Sequence, residues 1–208
     1  MSLAIVGLTR TFPDRRRYDE VISRNRSIEK FIGTSHPVII FHEGNLPSSD
    51  MDYIKQNSPN LDIKFVSIEK DWNGQYKYAS MCRFFSYHIW DYCKDYDYVL
   101  RIDTDCELKH NEGIESLLNG DKVFYQSMPW EEPHEPTIET LPKKISSLTD
   151  LPKEEFWSLF PYTNVFMSEV KFWRSDPVKD ILKEICLCDE QLIYRWGDLP
   201  ILGILLNI

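Results

Sequence analysis

A chain of 208 residues is enough for one full-sized domain and short for two. Its net charge of −9 argues against DNA or RNA as the main partner, since a polyanion needs a basic stripe. The cysteines form an odd set (Cys82, Cys93, Cys106, Cys186 and Cys188) without a C-x-x-C pair. That excludes a zinc knuckle and reads as free, mostly buried thiols in a reducing compartment.

Taken in chain order, Leu3–Leu8 is a short apolar run that reads as a buried strand. It lacks the basic start and cleavage site of a signal peptide. No run approaches the ~20 apolar residues of a membrane span. The chain therefore reads as cytoplasmic. Tyr18 to Ile32 is a predicted helix, with Val21, Ile22, Ile28, Phe31 and Ile32 as its apolar positions. Pro37–Phe41 is a second strand, and Pro47-Ser48-Ser49-Asp50 opens a helix by its capping chemistry. Strands follow at Ile63–Ile68, Tyr98–Ile102 and Val123–Gln126, with a long amphipathic helix at Tyr76 to Cys93. This alternation predicts an α/β fold, a mostly parallel twisted sheet flanked by helices.

The remaining sequence is less regular. Met128 to Pro152 is rich in Pro and Glu, poor in periodicity, and reads as a long loop, functional or disordered. A strand near Asn164–Met167 and a helix opened by Ser175-Asp176-Pro177 come next. The run Ile201–Ile208 is apolar up to the last residue. It suggests either a domain cut from a longer protein or a last helix docked on the core. The organisation expected is one domain over 1–208, with a nucleotide-binding half at about 1–127 and an acceptor half at about 128–208.

Three Asp-x-Asp triplets occur: Asp50/Asp52, Asp95/Asp97 and Asp103/Asp105. The first sits at a helix start, where carboxylates favour the dipole. The second lies in a connection. Only the third directly follows a buried strand, and ligands of open α/β sheets bind beyond the carboxyl ends of strands. Residues two apart on extended chain point the same way, so Asp103 and Asp105 can converge on one cation. Two carboxylates without a thiol suit Mn²⁺ or Mg²⁺, which completes its shell with phosphate oxygens and water. Such an ion lets an acidic chain bind a nucleotide diphosphate. Asp103 and Asp105 are thus the candidate metal ligands and, with them, candidate catalytic groups.

Arginines supply the next candidates. Arg83 interrupts the apolar stretch Met81-Cys82-Arg83-Phe84-Phe85 and needs a partner, either an acid such as Asp103 or a phosphate. Arg101 lies just ahead of the triplet. Thr9 and Arg10 close the first strand at the same edge of the sheet, where a nucleotide is met. The five histidines show no metal or protease spacing, and no Gly-rich phosphate loop is present among the 8 glycines.

Three segments resemble the fungal α-1,2-mannosyltransferase family. Tyr78-Ala79-Ser80-Met81-Cys82-Arg83-Phe84 resembles its Tyr-x-x-Met-Cys-Arg-Phe/Tyr, and Tyr96 to Asp105 resembles its Tyr-Asp-Trp-Tyr-Trp-Arg-Val-Glu-Pro-Asp. Arg195-Trp196-Gly197-Asp198-Leu199-Pro200 resembles its Arg-Trp-Gly-Asp-Ala-Pro. The resemblance implies a GT-A fold, a Rossmann-like sheet with a metal site, and retaining transfer of mannose from GDP-mannose with Mn²⁺. It implies donor or acceptor contacts at Tyr78, Arg83, Arg195 and Trp196, and a catalytic role for Asp198. Two departures stand out. The family's Glu-Pro-Asp is here Asp103-Thr104-Asp105, and its metal-binding histidine falls on Leu202. The metal shell must therefore differ, with Asp198 or water substituting, and a UDP-sugar is as suitable a donor as GDP-mannose. The acceptor class is a glycan or glycoprotein, and Glu131, Glu132, Glu135 and Asp189 are the candidate nucleophiles. Two alternatives remain: a haloacid-dehalogenase-type phosphatase, whose motif wants Thr or Val where Glu107 stands, and a non-catalytic sugar-binding module.

Overall fold

The computed structural model describes residues 1–110, 123–127, 134–150 and 161–206. It divides into two compact units. The first comprises Met1–Lys70, Asp95–Phe124 and Asn164–Glu169; the second comprises Asp71–Lys94, Tyr125–Thr163 and Val170–Ile208.

The strands are β1 (Leu3–Thr9), β2 (Val38–His42), β3 (Ile63–Ser67), β4 (Tyr98–Ile102), β5 (Val123–Ser127) and β6 (Pro161–Glu169). They form one sheet in the order β3-β2-β1-β4-β6-β5. β3, β2, β1 and β4 run parallel, and β6 returns antiparallel to β4. Every residue of β2 is buried, as a parallel strand covered on both faces requires. Because β2 and β3 lie on one side of β1 and β4 on the other, the strand order reverses between β1 and β4. That reversal opens a crevice at their carboxyl ends, the ligand position of open α/β sheets.

Among the described residues, two α-helices belong to the first unit, α1 (Asp19–Phe31) and α2 (Ser48–Gln56). Asp19 and Glu20 favour the positive end of α1, and Val21, Ile22 and Ile28 enter the core. Arg24 also lies inside, with no exposed surface. Its Nη1 donates to the Ile102 carbonyl at 3.2 Å, while Nε and Nη2 donate to Asn25 Oδ1 at 3.3 and 2.8 Å. Asn25 in turn donates to Ser58 Oγ at 3.0 Å.

The second unit is mainly helical. Helix α3 (Lys77–Arg83) runs through a wide π-type turn, Phe84–His88, into α4 (Ile89–Tyr92). The predicted helix from Tyr76 to Cys93 is therefore present, with one turn loosened. α5 (Glu135–Ser146), α6 (Val170–Trp173), α7 (Asp176–Cys186), α8 (Asp189–Ile193) and α9 (Asp198–Leu205) complete it. Trp90 stacks on Trp173 with centroids 5.1 Å apart, and Arg174 pairs with Asp91. The last described element is a helix: Pro200 to Leu205 of α9 are all buried.

The loop expected from Met128 to Pro152 is corrected by α5. Thr137, Leu141 and Ile145 recur every four residues and make its buried face. Pro136 in the first turn lacks a donor that the helix would leave unpaired anyway, whereas Pro142 in the interior hides the pattern. Ser175 stands at the N-cap of α7, as expected, but its hydroxyl donates back to the Phe172 carbonyl at 2.6 Å rather than accepting from the helix. Among the described residues, no helix is long and apolar enough to cross a membrane.

Gly7 shows how closely α1 is set against the sheet. A Cβ there would lie 2.0 Å from Arg24 Nη1 and 3.0 Å from the Ile102 carbonyl oxygen. Arg24 is held by three hydrogen bonds and cannot swing aside without loss. Gly7→Ala is therefore expected to cost about 1–3 kcal/mol in urea unfolding, the range for overpacking a filled interior. An unchanged midpoint would show that the guanidinium is free to move.

Candidate active site

The Asp103-Thr104-Asp105 triplet sits at the carboxyl end of β4, beside β1, in the crevice where the strand order reverses. The backbone there is not extended. β4 ends at Ile102, and Asp103 to Cys106 is a β-turn closed by the Cys106 N–H on the Asp103 carbonyl at 3.0 Å. Strand alternation therefore does not aim the two carboxylates. The turn does, and β6 braces it, since the Asp103 N–H donates to the Asn164 carbonyl at 2.8 Å.

Helix α1 holds the segment on both sides. Ahead of the turn, Arg24 grips the Ile102 carbonyl. Beyond it, Leu108 N–H donates to Ser27 Oγ at 3.1 Å, and Ser23 bonds the Glu107 carboxylate. The Ser23 hydroxyl, then Lys109, hold the Glu107 carboxyl below its usual range. Burial pushes the Arg24 guanidinium down to about 10, and the nearby Asp103 charge opposes that shift.

Asp103 is gripped on both oxygens by Arg101, Nε to Oδ1 at 2.7 Å and Nη2 to Oδ2 at 2.9 Å. Arg101 is only 3% exposed, so its guanidinium orients the carboxylate from within. Asp105 is exposed and receives a weak contact from the Cys106 thiol at 3.8 Å. Thr9 is buried at the end of β1, and the exposed Arg10 lies 5.1 Å over the Phe12 ring.

Among the described residues, no three His, Cys, Asp or Glu side chains gather as a metal cage. The donors do fit a hard cation that takes most of its shell from elsewhere. A carboxylate offers about four lone-pair positions, and Arg101 uses two of those on Asp103. Asp103 and Asp105 would hold such an ion, with phosphate oxygens and water completing the shell.

The second unit carries the other residues singled out above. Arg83 finds its partners within the second unit. It donates to Gln191 Oε1 at 3.0 Å and to the Cys188 carbonyl at 2.9 Å. Gln191, fully buried, passes its amide to the carbonyls of Ala79 and Trp196 at 3.0 and 3.1 Å. Sequence reading missed Gln191, because a lone glutamine carries no spacing signal. Arg195 adopts a left-handed backbone, φ 54°, and its guanidinium lies 4.9 Å over the Tyr78 ring. Tyr78 is half exposed and its phenol is held protonated, first by neighbouring Cys82, then by burial and the Asp198 charge. Trp196 is 1% exposed, and its Nε1 donates to Thr140 Oγ1 at 2.8 Å. Asp198 is 4% exposed in the first turn of α9. Leu202, where the family has histidine, is a buried apolar position of the same helix. Of the candidate nucleophiles, Glu135 and Asp189 are exposed at the starts of α5 and α8. Glu131 and Glu132 lie outside the described residues.

No family model and no curated protein matches the sequence. Solved structures do match the fold. The mannosyltransferase Ktr4p from S. cerevisiae, in complex with GDP, aligns with TM-score 0.78 at 16% identity, over 100% of this chain and 66% of that one. The present chain thus spans slightly less than two thirds of the yeast protein. Core-mannan synthase A from Aspergillus fumigatus, in its Mn/GDP form, aligns with TM-score 0.74 at 13% identity, over 100% and 70% of the two chains. The fold is the GT-A glycosyltransferase fold. Mouse xyloside xylosyltransferase 1 in its apo form is a more distant likeness, with TM-score 0.57 at 12% identity, over 98% of this chain and 82% of that one. The expected mostly parallel sheet is present, and the matching structures include fungal mannosyltransferases, as the resemblance implied.

Arg83 gives a direct test of its role. Its two bonds staple α3 to α8, so Arg83→Ala is expected to cost about 1.5–3 kcal/mol in urea unfolding, the range for a hydrogen-bonded charged group. Arg83→Lys is expected to recover only part of this, because an ammonium lacks the planar fork. Unchanged stability in both would make Arg83 a ligand contact rather than a staple.

Proposed function

We propose that the chain is a metal-dependent glycosyltransferase that moves a hexose from a UDP- or GDP-sugar to a glycan or glycoprotein acceptor, with retention. The observation that carries this reading is the Asp103–Asp105 turn at the strand-order reversal of a GT-A sheet. A Mn²⁺ or Mg²⁺ ion, when bound there, would neutralise the diphosphate leaving group. Arg101 fixes the direction of the Asp103 carboxylate through both of its oxygens. Arg24, through the Ile102 carbonyl, keeps the turn at one height above the sheet. Thr9 and Arg10 end the neighbouring strand, and there they would meet the nucleotide.

In the second unit, Tyr78 and Arg195 present a ring and a guanidinium that suit donor or acceptor contacts. The left-handed backbone of Arg195 supports such a role, since strain of this kind clusters at ligand sites. Asp198 is an acid held at a helix start, where its charge is favoured. The Mn/GDP form of the Aspergillus protein and the GDP complex of the yeast protein favour a nucleotide diphosphate with a divalent ion. A haloacid-dehalogenase-type phosphatase is not favoured, because its motif belongs on the first strand of the chain and this turn follows the fourth.

A thermal-shift panel of UDP- and GDP-sugars, with and without Mn²⁺, tests the reading. Ligand at about a hundredfold over Kd stabilises by about 2.7 kcal/mol, which raises Tm by roughly 5–10 °C for a chain of this size. The expected result is a shift for one nucleotide class, dependent on Mn²⁺ and absent in Asp105→Asn. No shift with any nucleotide would remove the support for a transferase.

A further inference from the structure

The second unit has an open cleft beside Trp196. Thr140, Lys143, Lys144, Glu190, Tyr194 and Trp196 line about 310 Å³ of it. That volume is at the low end for small-molecule pockets, roughly 300–1,000 Å³. One wall is aromatic and fixed. Trp196 is anchored through Thr140, and Tyr194 lies against it with centroids 6.4 Å apart and an interplanar angle of 27°. Tyr194 remains 36% exposed, so part of its ring is available. The left-handed turn at Arg195 separates these residues: Arg195 goes to Tyr78, while Tyr194 and Trp196 on either side line the cleft.

The other wall is basic, in a chain of net charge −9. Lys143 and Lys144 are consecutive in the last turn of α5. Among the described residues, no carboxylate is in salt-bridge reach of Lys143. Glu190 is the one acid in the lining, and its carboxylate is engaged by its own backbone N–H, by the Cys188 thiol and by the charge of Lys144. An aromatic face stacks on the C–H face of a pyranose, and a lysine pair takes a negative substituent.

We propose that this cleft is an acceptor subsite for a sugar carrying an acidic group, a phosphate or a carboxylate. The ring lies against Tyr194 and the charge at Lys143 and Lys144. The word acceptor rests on the transferase reading; the binding itself does not.

The test is titration of the whole chain, without nucleotide, by glucose 6-phosphate, glucuronate, glucose and inorganic phosphate, followed by NMR. Both acidic sugars, or one of them, are expected to bind at least about fivefold tighter than glucose or phosphate alone, the effect of about 1 kcal/mol from partly exposed charge contacts. A preference between the two identifies the source as a phosphorylated or a carboxylated glycan. The double variant Lys143→Gln/Lys144→Gln is expected to lose the margin over glucose, and the single variant Tyr194→Ala the margin over phosphate alone, while circular dichroism is unchanged. Glucose binding as tightly as the acidic sugars, phosphate alone binding as tightly, or variants keeping the margin would each overturn the proposal. A parallel titration with Mn²⁺ and GDP or UDP separates the two readings. Nucleotide binding without acidic-sugar binding sinks the cleft alone. Acidic-sugar binding without nucleotide binding sinks the transferase and leaves the cleft as a saccharide site.

Discussion

The first unit depends on one buried cation. Arg24 places a guanidinium with no exposed surface between α1 and the sheet, at the level where β4 gives way to the Asp103 turn. Burying such a group costs several kcal/mol unless its donors are met. Here they meet the Ile102 carbonyl and the Asn25 amide oxygen, and the Asp103 charge supports the cation through space. Gly7 follows as a consequence, since the guanidinium occupies the volume a side chain would need. Ser23 and Ser27, one helical turn apart on α1, then secure Glu107 and Leu108 beyond the turn. The acidic turn is thus clamped at both ends by one helix rather than left as a surface loop.

That clamp was invisible in the sequence for a physical reason. Arg24 stands in Val21-Ile22-Ser23-Arg24-Asn25-Arg26, where a charged residue reads as the solvated face of an amphipathic helix. Gly7 sits inside an apolar run and reads as ordinary strand. By contrast, the strands themselves were legible, because parallel strands covered on both faces leave continuous apolar runs such as Val38–Phe41. The place of Asp103 and Asp105 was legible too, since it needs only the end of β4. The aim of their carboxylates was not, because the β-turn at Asp103–Cys106 carries no Gly or Pro to announce it. Helix α5 was hidden by Pro142, which obscures a four-residue apolar repeat.

In the second unit, the resemblance-bearing segments Tyr78–Phe84 and Arg195–Pro200 belong to one hydrogen-bonded arrangement. Gln191 connects them through the carbonyls of Ala79 and Trp196, and Arg83 adds its own bond to Gln191. This explains why an arginine lies within an apolar stretch: it meets a neutral amide and a carbonyl there. Leu202, where the resembling family has histidine, is buried in an apolar face of α9, so the proposed metal shell would draw on Asp103, Asp105 and the ligand's own oxygens.

The proposed function rests on joint binding of a divalent ion and a nucleotide diphosphate at the Asp103–Asp105 turn. Electron paramagnetic resonance of Mn²⁺ reads this directly, because the free aqueous ion gives a sharp signal that protein binding broadens. Little loss of the free signal is expected with the protein alone, strong loss when GDP or UDP is added, and recovery of the free signal in Asp105→Asn. Equal binding by the wild type and Asp105→Asn in the presence of nucleotide would contradict it.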